Sequence, residues 1–408
     1  VSGVCRVPVF KVAMSRQPGF AFALALGSIS LIGPLAIHIY LPVIPAVKAA
    51  LDLSDALAQA TFALGLVAMA FSTLFWGSMS DRFGRRPVLL SGLLVFLAGS
   101  LACALAQGIV TLILGRLLQA FGAGVGGALA RTIARDAYGP DKLVRAIAYL
   151  TMFYTLGPMI SPVAGGLLID AFSWRAVFSF SILMGAAILA GAYFIIWETR
   201  PPAQTGVVPK GFISDALTLL SHMRFTCFVL QTGFSTGAFF VAASAASFLM
   251  KETLGRPAAE FGYWFALFPL GFFAGNFVSS RVGARASNEF MVLLGAVLAL
   301  GAVGLQSGLL IGGYLTPLAI FGPGFLITFA QGISLPYGQA GAISTVLRIA
   351  GTAAGIGVFM QNIVGAFFAL LFGLLADGGV WPIVFVTGLA TLLGVLVAIP
   401  PLLTGRRT

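Results

Sequence analysis

Twelve separate stretches of about 20 apolar residues follow one another along this chain, and that pattern leaves few folds open. They fall near 19–39, 57–77, 87–106, 110–130, 146–168, 176–197, 226–249, 261–280, 290–311, 314–334, 350–373 and 381–403. Each is long enough to cross the hydrocarbon core as a helix, and too uniformly apolar for the alternating strands of a membrane barrel. A helix satisfies its own backbone hydrogen bonds in lipid, so the pattern predicts an all-α polytopic membrane protein. Composition closes the other routes. Only 9% of the 408 residues are charged and 59% are hydrophobic, too little charge to coat a water-soluble surface. The 36 phenylalanines exclude disorder, and three cysteines make no disulfide framework.

All twelve acidic residues fall between the stretches or at their ends. With the N-terminus placed in the cytoplasm, eighteen basic residues fall on the cytoplasmic side and four (Lys48, Arg175, Lys251 and Arg256) on the other. Only Arg116 falls inside a stretch. This asymmetry predicts a multi-pass chain with both termini cytoplasmic. The net charge of +11 then reflects topology and anionic lipid in the surrounding bilayer, with no nucleic acid as partner. Residues 1–18 read as a retained cytoplasmic tail, of which 1–13 are dispensable, and 404–408 as a second tail.

Residues 198–225, with Glu198, Pro201, Pro202, Pro209 and Lys210, read as a cytoplasmic linker between halves 19–197 and 226–403. Arg82-x-Gly84-x-Arg86 recurs as Arg281-x-Gly283-x-Arg285, 199 residues later and after the second stretch of each half. Ser280 stands where the first copy has Asp81, and Asn276 where it has Gly77. Two pseudo-symmetric six-helix halves around a central site are a transporter plan.

The segment Gly77-x-x-x-Asp81-Arg82-x-Gly84-Arg85-Arg86 resembles the signature loop of the major facilitator superfamily. Leu114-Gly-Arg116-Leu-Leu-Gln119-Ala-Phe-Gly122 is similar to the Arg-containing motif of its proton-coupled drug exporters. Gly157-Pro158-Met-Ile-Ser-Pro162-Val-Ala-Gly165-Gly166 is similar to the Gly/Pro motif of its antiporters. Tyr40-Leu41-Pro42, Trp174-Arg175 and Glu198-Thr199-Arg200 fit the same pattern. The chain most resembles the bicyclomycin- and chloramphenicol-resistance-like branch of twelve-span drug:proton antiporters, over its whole length and more sharply in the first half. His38 departs from that branch, which usually carries an acidic residue two places before Tyr-Leu-Pro, and no other membrane-embedded carboxylate replaces it.

The resemblance implies a bacterial inner-membrane protein that exports small amphipathic compounds in exchange for protons. It also implies that Asp81 meets the start of span 11 near Arg348, latching the halves on the cytoplasmic side. Gly77 and Gly84 would permit close approach and a tight turn there. Spans 1, 4, 7 and 10 would line the cavity with His38, Tyr40, Arg116, Gln119, Gln231, Thr232, Ser235, Thr236, Gln331 and Ser334. Gln361 and Asn362 would join them from span 11, while Tyr154 and Thr155 lie beside the Gly/Pro motif. A second reading stands beside each of these. Arg116 could be a structural cation satisfied by carbonyls or by Gln107 and Gln119, the Gly/Pro set a plain kink, and the amides helix–helix contacts. No P-loop, metal-spaced His/Cys cluster or Ser/His/Asp set occurs, so no enzyme, cofactor, metal or ATP-driven pump is expected. The expected partners are a small-molecule substrate and protons, with the chain working as a monomer. Two rival functions remain: a facilitator or importer of an anionic metabolite, and a membrane scaffold without transport.

Overall fold

The structure, a computed structural model, describes residues 18–200, 212–346 and 349–404, and among these it is helical with no strand. Twelve helices are long and apolar enough to span a membrane. In the first half they are α1 Phe20–His38, α2 Asp55–Phe83, α3 Arg85–Ala104, α4 Ile109–Gly139, α5 Arg145–Ala171 and α6 Trp174–Ile195. In the second they are α7 Met223–Thr253, α8 Ala258–Val282, α9 Asn288–Ile311, α10 Pro317–Thr345, α11 Gly351–Leu375 and α12 Trp381–Leu403. We call the end where α1 starts the base and the opposite end the crown.

Apolar length locates each helix but underestimates α2, α4 and α10, which continue at the base to Phe83, Gly139 and Thr345. Hydropathy senses only the lipid-embedded part, and these helices run on past it, α10 doing so through Pro336. Two short helices also lack the apolar length of a span. Val43–Ala50 buries Val43, Ile44 and Val47 just after α1, and Phe212–Leu220 lies inside the expected linker.

Glycine sets how closely the helices approach. A Cβ on Gly99 of α3 would lie 2.6 Å from the Gln119 Cα of α4, and one on Gly122 of α4 2.6 Å from the Phe96 Cα. In the second half, a Cβ on Gly295 of α9 would lie 2.6 Å from Ser334 Cβ of α10. Small residues at the same pair of helices in each half let dispersion and backbone contact hold the bundle where lipid supplies no hydrophobic drive. The repeated loop agrees. Gly84 (φ 102°) and Gly283 (φ 53°) both take the left-handed conformation that a side chain disfavours, each just after the second helix of its half. Proline marks the irregular points. Pro34 interrupts the ladder of α1, and Pro269 follows a break in α8 at Ala266.

The ion pairs and hydrogen bonds found between the halves, among the described residues, all lie at the crown. Lys48 bridges Asp55 of its own half (2.7 Å) and Glu252 of the other (2.9 Å). Burial works to lower the affinity of the Lys48 amine for its proton, but the two carboxylates outweigh it and raise its pKa. Ser247 Oγ donates to Leu41 O at 2.8 Å, and Asp170 accepts from the backbone of Ala258 and Ala259. Toward the base the halves meet through α2 and α11, where the Phe71 and Phe359 rings stand 5.2 Å apart. The crown is closed.

Candidate functional site: a clamped loop and a buried polar core

At the base, the α2–α3 turn is folded around Arg85, a residue the sequence presents as part of a solvated basic loop but which is 4% exposed. Its guanidinium donates to Asp81 Oδ1 (2.5 Å), Ser80 Oγ (2.7 Å) and Asp136 Oδ2 (3.0 Å). Glu198 closes the turn from the end of α6, accepting the backbone N–H groups of Arg85 (2.9 Å) and Arg86 (3.1 Å) at the start of α3. Burial raises the pKa of Glu198, but the N–H groups of Arg200, Arg85 and Arg86 outweigh it and hold the carboxyl below its usual range. A Cβ on Gly84 would lie 2.7 Å from Glu198 Oε2, so the clamp as well as the turn requires glycine. Arg86 and Arg200 tie in through the carbonyls of Tyr193 (2.7 Å) and Arg82 (2.8 Å).

Three expectations attach to this turn. Asp81 is bound to Arg85 of its own half, with its side chain 71% exposed. Arg348 lies outside the described residues. Gly77 faces open space and supports no close approach. Asp136 and Glu198 carry the loop, and the sequence motifs assign neither of them that role. The only signal for Asp136 was an acid among the basic residues closing α4.

Deeper in, Arg116 is 2% exposed. Its Nη1 donates to Gln119 Oε1 (2.6 Å) and Ala36 O (3.3 Å), and its guanidinium lies 3.8 Å from the centroid of the Tyr40 ring. Gln119 donates on to Ser100 Oγ (3.0 Å), and Tyr40 OH donates to Thr61 Oγ1 (2.6 Å). Arg116 Nε has no partner, and Gln107 is exposed rather than joined to this chain. Among the described residues the cation has amide, ring and carbonyl neighbours and no carboxylate.

His38 ends α1 with its Nδ1 2.8 Å from Pro34 O. A carbonyl only accepts, so that nitrogen carries the hydrogen, and in the neutral ring Nε2 is left as an acceptor. The rings of Phe239, Phe240 and Phe265 surround it at 6.1–6.5 Å, an apolar plug between the halves. No described carboxylate lies at this depth.

The second half contributes amides. Gln231 is 1% exposed with Oε1 unpaired, and Gln361 has Nε2 buried and unpaired. Gln331 Nε2 reaches Thr236 Oγ1 at 3.4 Å. Thr232, Ser334 and Asn362 bond to their own helices, and Ser235 is half-buried. Tyr154 is 43% exposed on the face of α5 that carries Gly165, one place before Thr155. The Gly/Pro motif is a packing surface. A Cβ on Gly157 would lie 2.5 Å from Pro34 Cβ, one on Gly165 2.7 Å from Ile39 O, and one on Gly166 2.6 Å from the Ala258 carbonyl carbon. Pro158 and Pro162 lie on the same helix, where a Cβ on Gly262 of α8 would lie 2.7 Å from Pro162 O.

Two six-helix halves closed on each other at one end, around a buried polar interior, are the architecture of a multi-pass secondary transporter. The chain belongs to the Major Facilitator Superfamily, whose sequence model matches residues 21–368. It is 27% identical to a bicyclomycin resistance protein homolog of Haemophilus influenzae, over 94% of this chain and 96% of that one. It is 29% identical to multidrug resistance protein D of Escherichia coli, over 95% and 96%. Among solved structures, a D-xylose–proton symporter shares the fold with a TM-score of 0.73 at 14% identity, covering 93% of this chain and 97% of that one. An inward-facing bacterial homolog of the human lysosomal transporter Spinster aligns with a TM-score of 0.71 at 18% identity, over 95% and 96%.

Proposed function

We propose that this protein exports small amphipathic compounds across the bacterial inner membrane in exchange for protons, by alternating access. The base faces the cytoplasm, as the excess of basic residues there favours. One observation carries the reading: a chain similar from end to end to resistance proteins has its halves joined by polar contacts at the crown, over a phenylalanine- and amide-lined interior. Such an interior suits ligands with an apolar body and a few hydrogen-bonding groups. The protein acts as a monomer, and residues 198–225 lie on the cytoplasmic side.

His38 takes the proton in place of the family's carboxylate. Protonation of an imidazole creates a cation instead of removing an anion. The interior then repels cationic ligands and favours neutral or anionic ones. The absence of a mid-depth carboxylate, with Arg116 and His38 both present, also favours the rival reading of an anionic-metabolite facilitator. Proteoliposomes tested against a compound panel with and without an imposed pH gradient separate the two. Uphill movement of neutral amphipathic compounds driven by the gradient supports export by exchange. Gradient-independent movement of small anions alone would replace it with the facilitator.

A further inference from the structure

We propose that Asp170 is a positioning residue of the transport cycle: its carboxylate seats on the start of α8 only while the crown is closed, and holds the halves in register there. Asp170 is the penultimate residue of α5, and α8 belongs to the other half. Its Oδ1 accepts from Ala258 N at 3.1 Å and its Oδ2 from Ala259 N at 2.7 Å. These are the first two N–H groups of α8, at the end of the helix that attracts negative charge.

What makes the contact more than an incidental cap is that α8 has none of its own. The residue before it is Pro257, which has no capping side chain. The N–H groups that a Ser or Asp would normally satisfy from the same chain segment are therefore satisfied from across the seam. Gly166 and Gly262 fix the register, because a Cβ on either would lie 2.6 Å from a backbone atom of the facing helix. When the crown opens, these two N–H groups lose the carboxylate that joins them to the other half and are left to water.

The base shows the complementary arrangement. In the inverted three-helix repeats nested within such halves, α2 corresponds to α5, and α8 to α11. Asp81, near the end of α2, stands where Asp170 stands on α5; both are exposed, yet Asp81 is bound to Arg85 of its own half while Asp170 is bound to a helix start of the other. The two carboxylates are in opposite states in one conformation.

The inference rests on the alternating-access reading, but its test uses detergent-solubilised full-length protein without substrate, so the transport assay above can fail independently. With Cys5, Cys103 and Cys227 replaced by serine, a reporter Ala46→Cys lies in the crown cavity of about 210 Å³ shared by both halves. A second reporter, Thr151→Cys, lies on the base half of α5. Asp170→Ala should raise alkylation of the crown reporter about fivefold, the equivalent of about 1 kcal/mol for a lost helix cap. The base reporter should hold or fall, because opening one end closes the other. Asp170→Asn, which keeps an acceptor oxygen, should stay within about twofold of the unmutated crown rate. Pro257→Ser added to Asp170→Ala gives α8 a cap of its own without joining the halves, so it should leave the crown open. The proposal is overturned by an unchanged crown rate in Asp170→Ala, by increased alkylation at both ends, by Asp170→Asn opening as far as Asp170→Ala, or by closure on adding Pro257→Ser.

Discussion

Replacing Arg116 with methionine separates a cation kept for transport from one kept for folding. The side chain makes one short hydrogen bond to Gln119, a longer one to Ala36 O, and a ring contact with Tyr40 at 3.8 Å. A hydrogen bond to a charged group contributes about 1.5–3 kcal/mol, and a desolvated cation–ring contact about 2 kcal/mol. Burying a cation with no carboxylate beside it costs several kcal/mol even after relaxation, and Arg116 Nε is unpaired besides. The terms nearly cancel. What remains in Arg116→Met is the orphaned Gln119 Oε1, a loss of about 1–3 kcal/mol. The double variant Arg116→Met/Gln119→Leu removes that orphan and should recover most of the stability, because replacing both partners by apolar groups is close to neutral. Transport should remain at least about tenfold down in both, a barrier change of about 1.4 kcal/mol or more. Arg116→Lys keeps the charge but not the planar fork of donors, and should not rescue it. Thermal unfolding in detergent and proteoliposome transport per folded molecule give the two readouts. A double variant that transports at the original rate would refute the reasoning and make Arg116 a structural residue.

His38→Asp, which restores the branch's usual acid, should move the pH profile of transport downward and admit cationic compounds; an unchanged profile in both His38→Asp and His38→Ala removes the imidazole from the cycle. Glu198 has its folded-state pKa depressed, so its contribution is present above the ordinary glutamate value near pH 4.3 and lost as pH falls through the lower folded value. Glu198→Gln should therefore be less stable by about 1 kcal/mol at pH 7, and the gap should close in thermal melts below about pH 4. Gly166→Leu has no space against Ala258 and Ala259, so it should abolish transport and leave Ala46→Cys reactive at the crown; normal transport would show that the seam gives way.

The spans were legible because bilayer thickness imposes one long apolar run per helix, and the repeated turn because only glycine suits Gly84 and Gly283. The contacts of Arg85 were not legible. A string of basic residues looks the same whether it meets lipid, water or a carboxylate such as Asp136, which lies 51 positions further along the chain. Glu198 could be placed in a motif but not in a role, since its partners are backbone N–H groups that every sequence offers. Arg116 stood out as a lone charge, and the structure adds that its surroundings are amide, ring and carbonyl. Asp170 carried no signal beyond ending an apolar run, because what it binds is the start of a helix in the other half.

Pro269 supplies no N–H to the carbonyl of Phe265, and α8 breaks one residue later, at Ala266. One rung of the backbone ladder is thus missing beside the ring that flanks His38. A helix lacking a rung bends at that point with less resistance than anywhere else along its length. The stiffness of α8 is therefore uneven: the segment Ala258–Phe265 is held by Asp170, the segment Leu267–Val282 packs on α10, and the compliant joint between them adjoins the imidazole. Small angular changes at the crown are taken up there first.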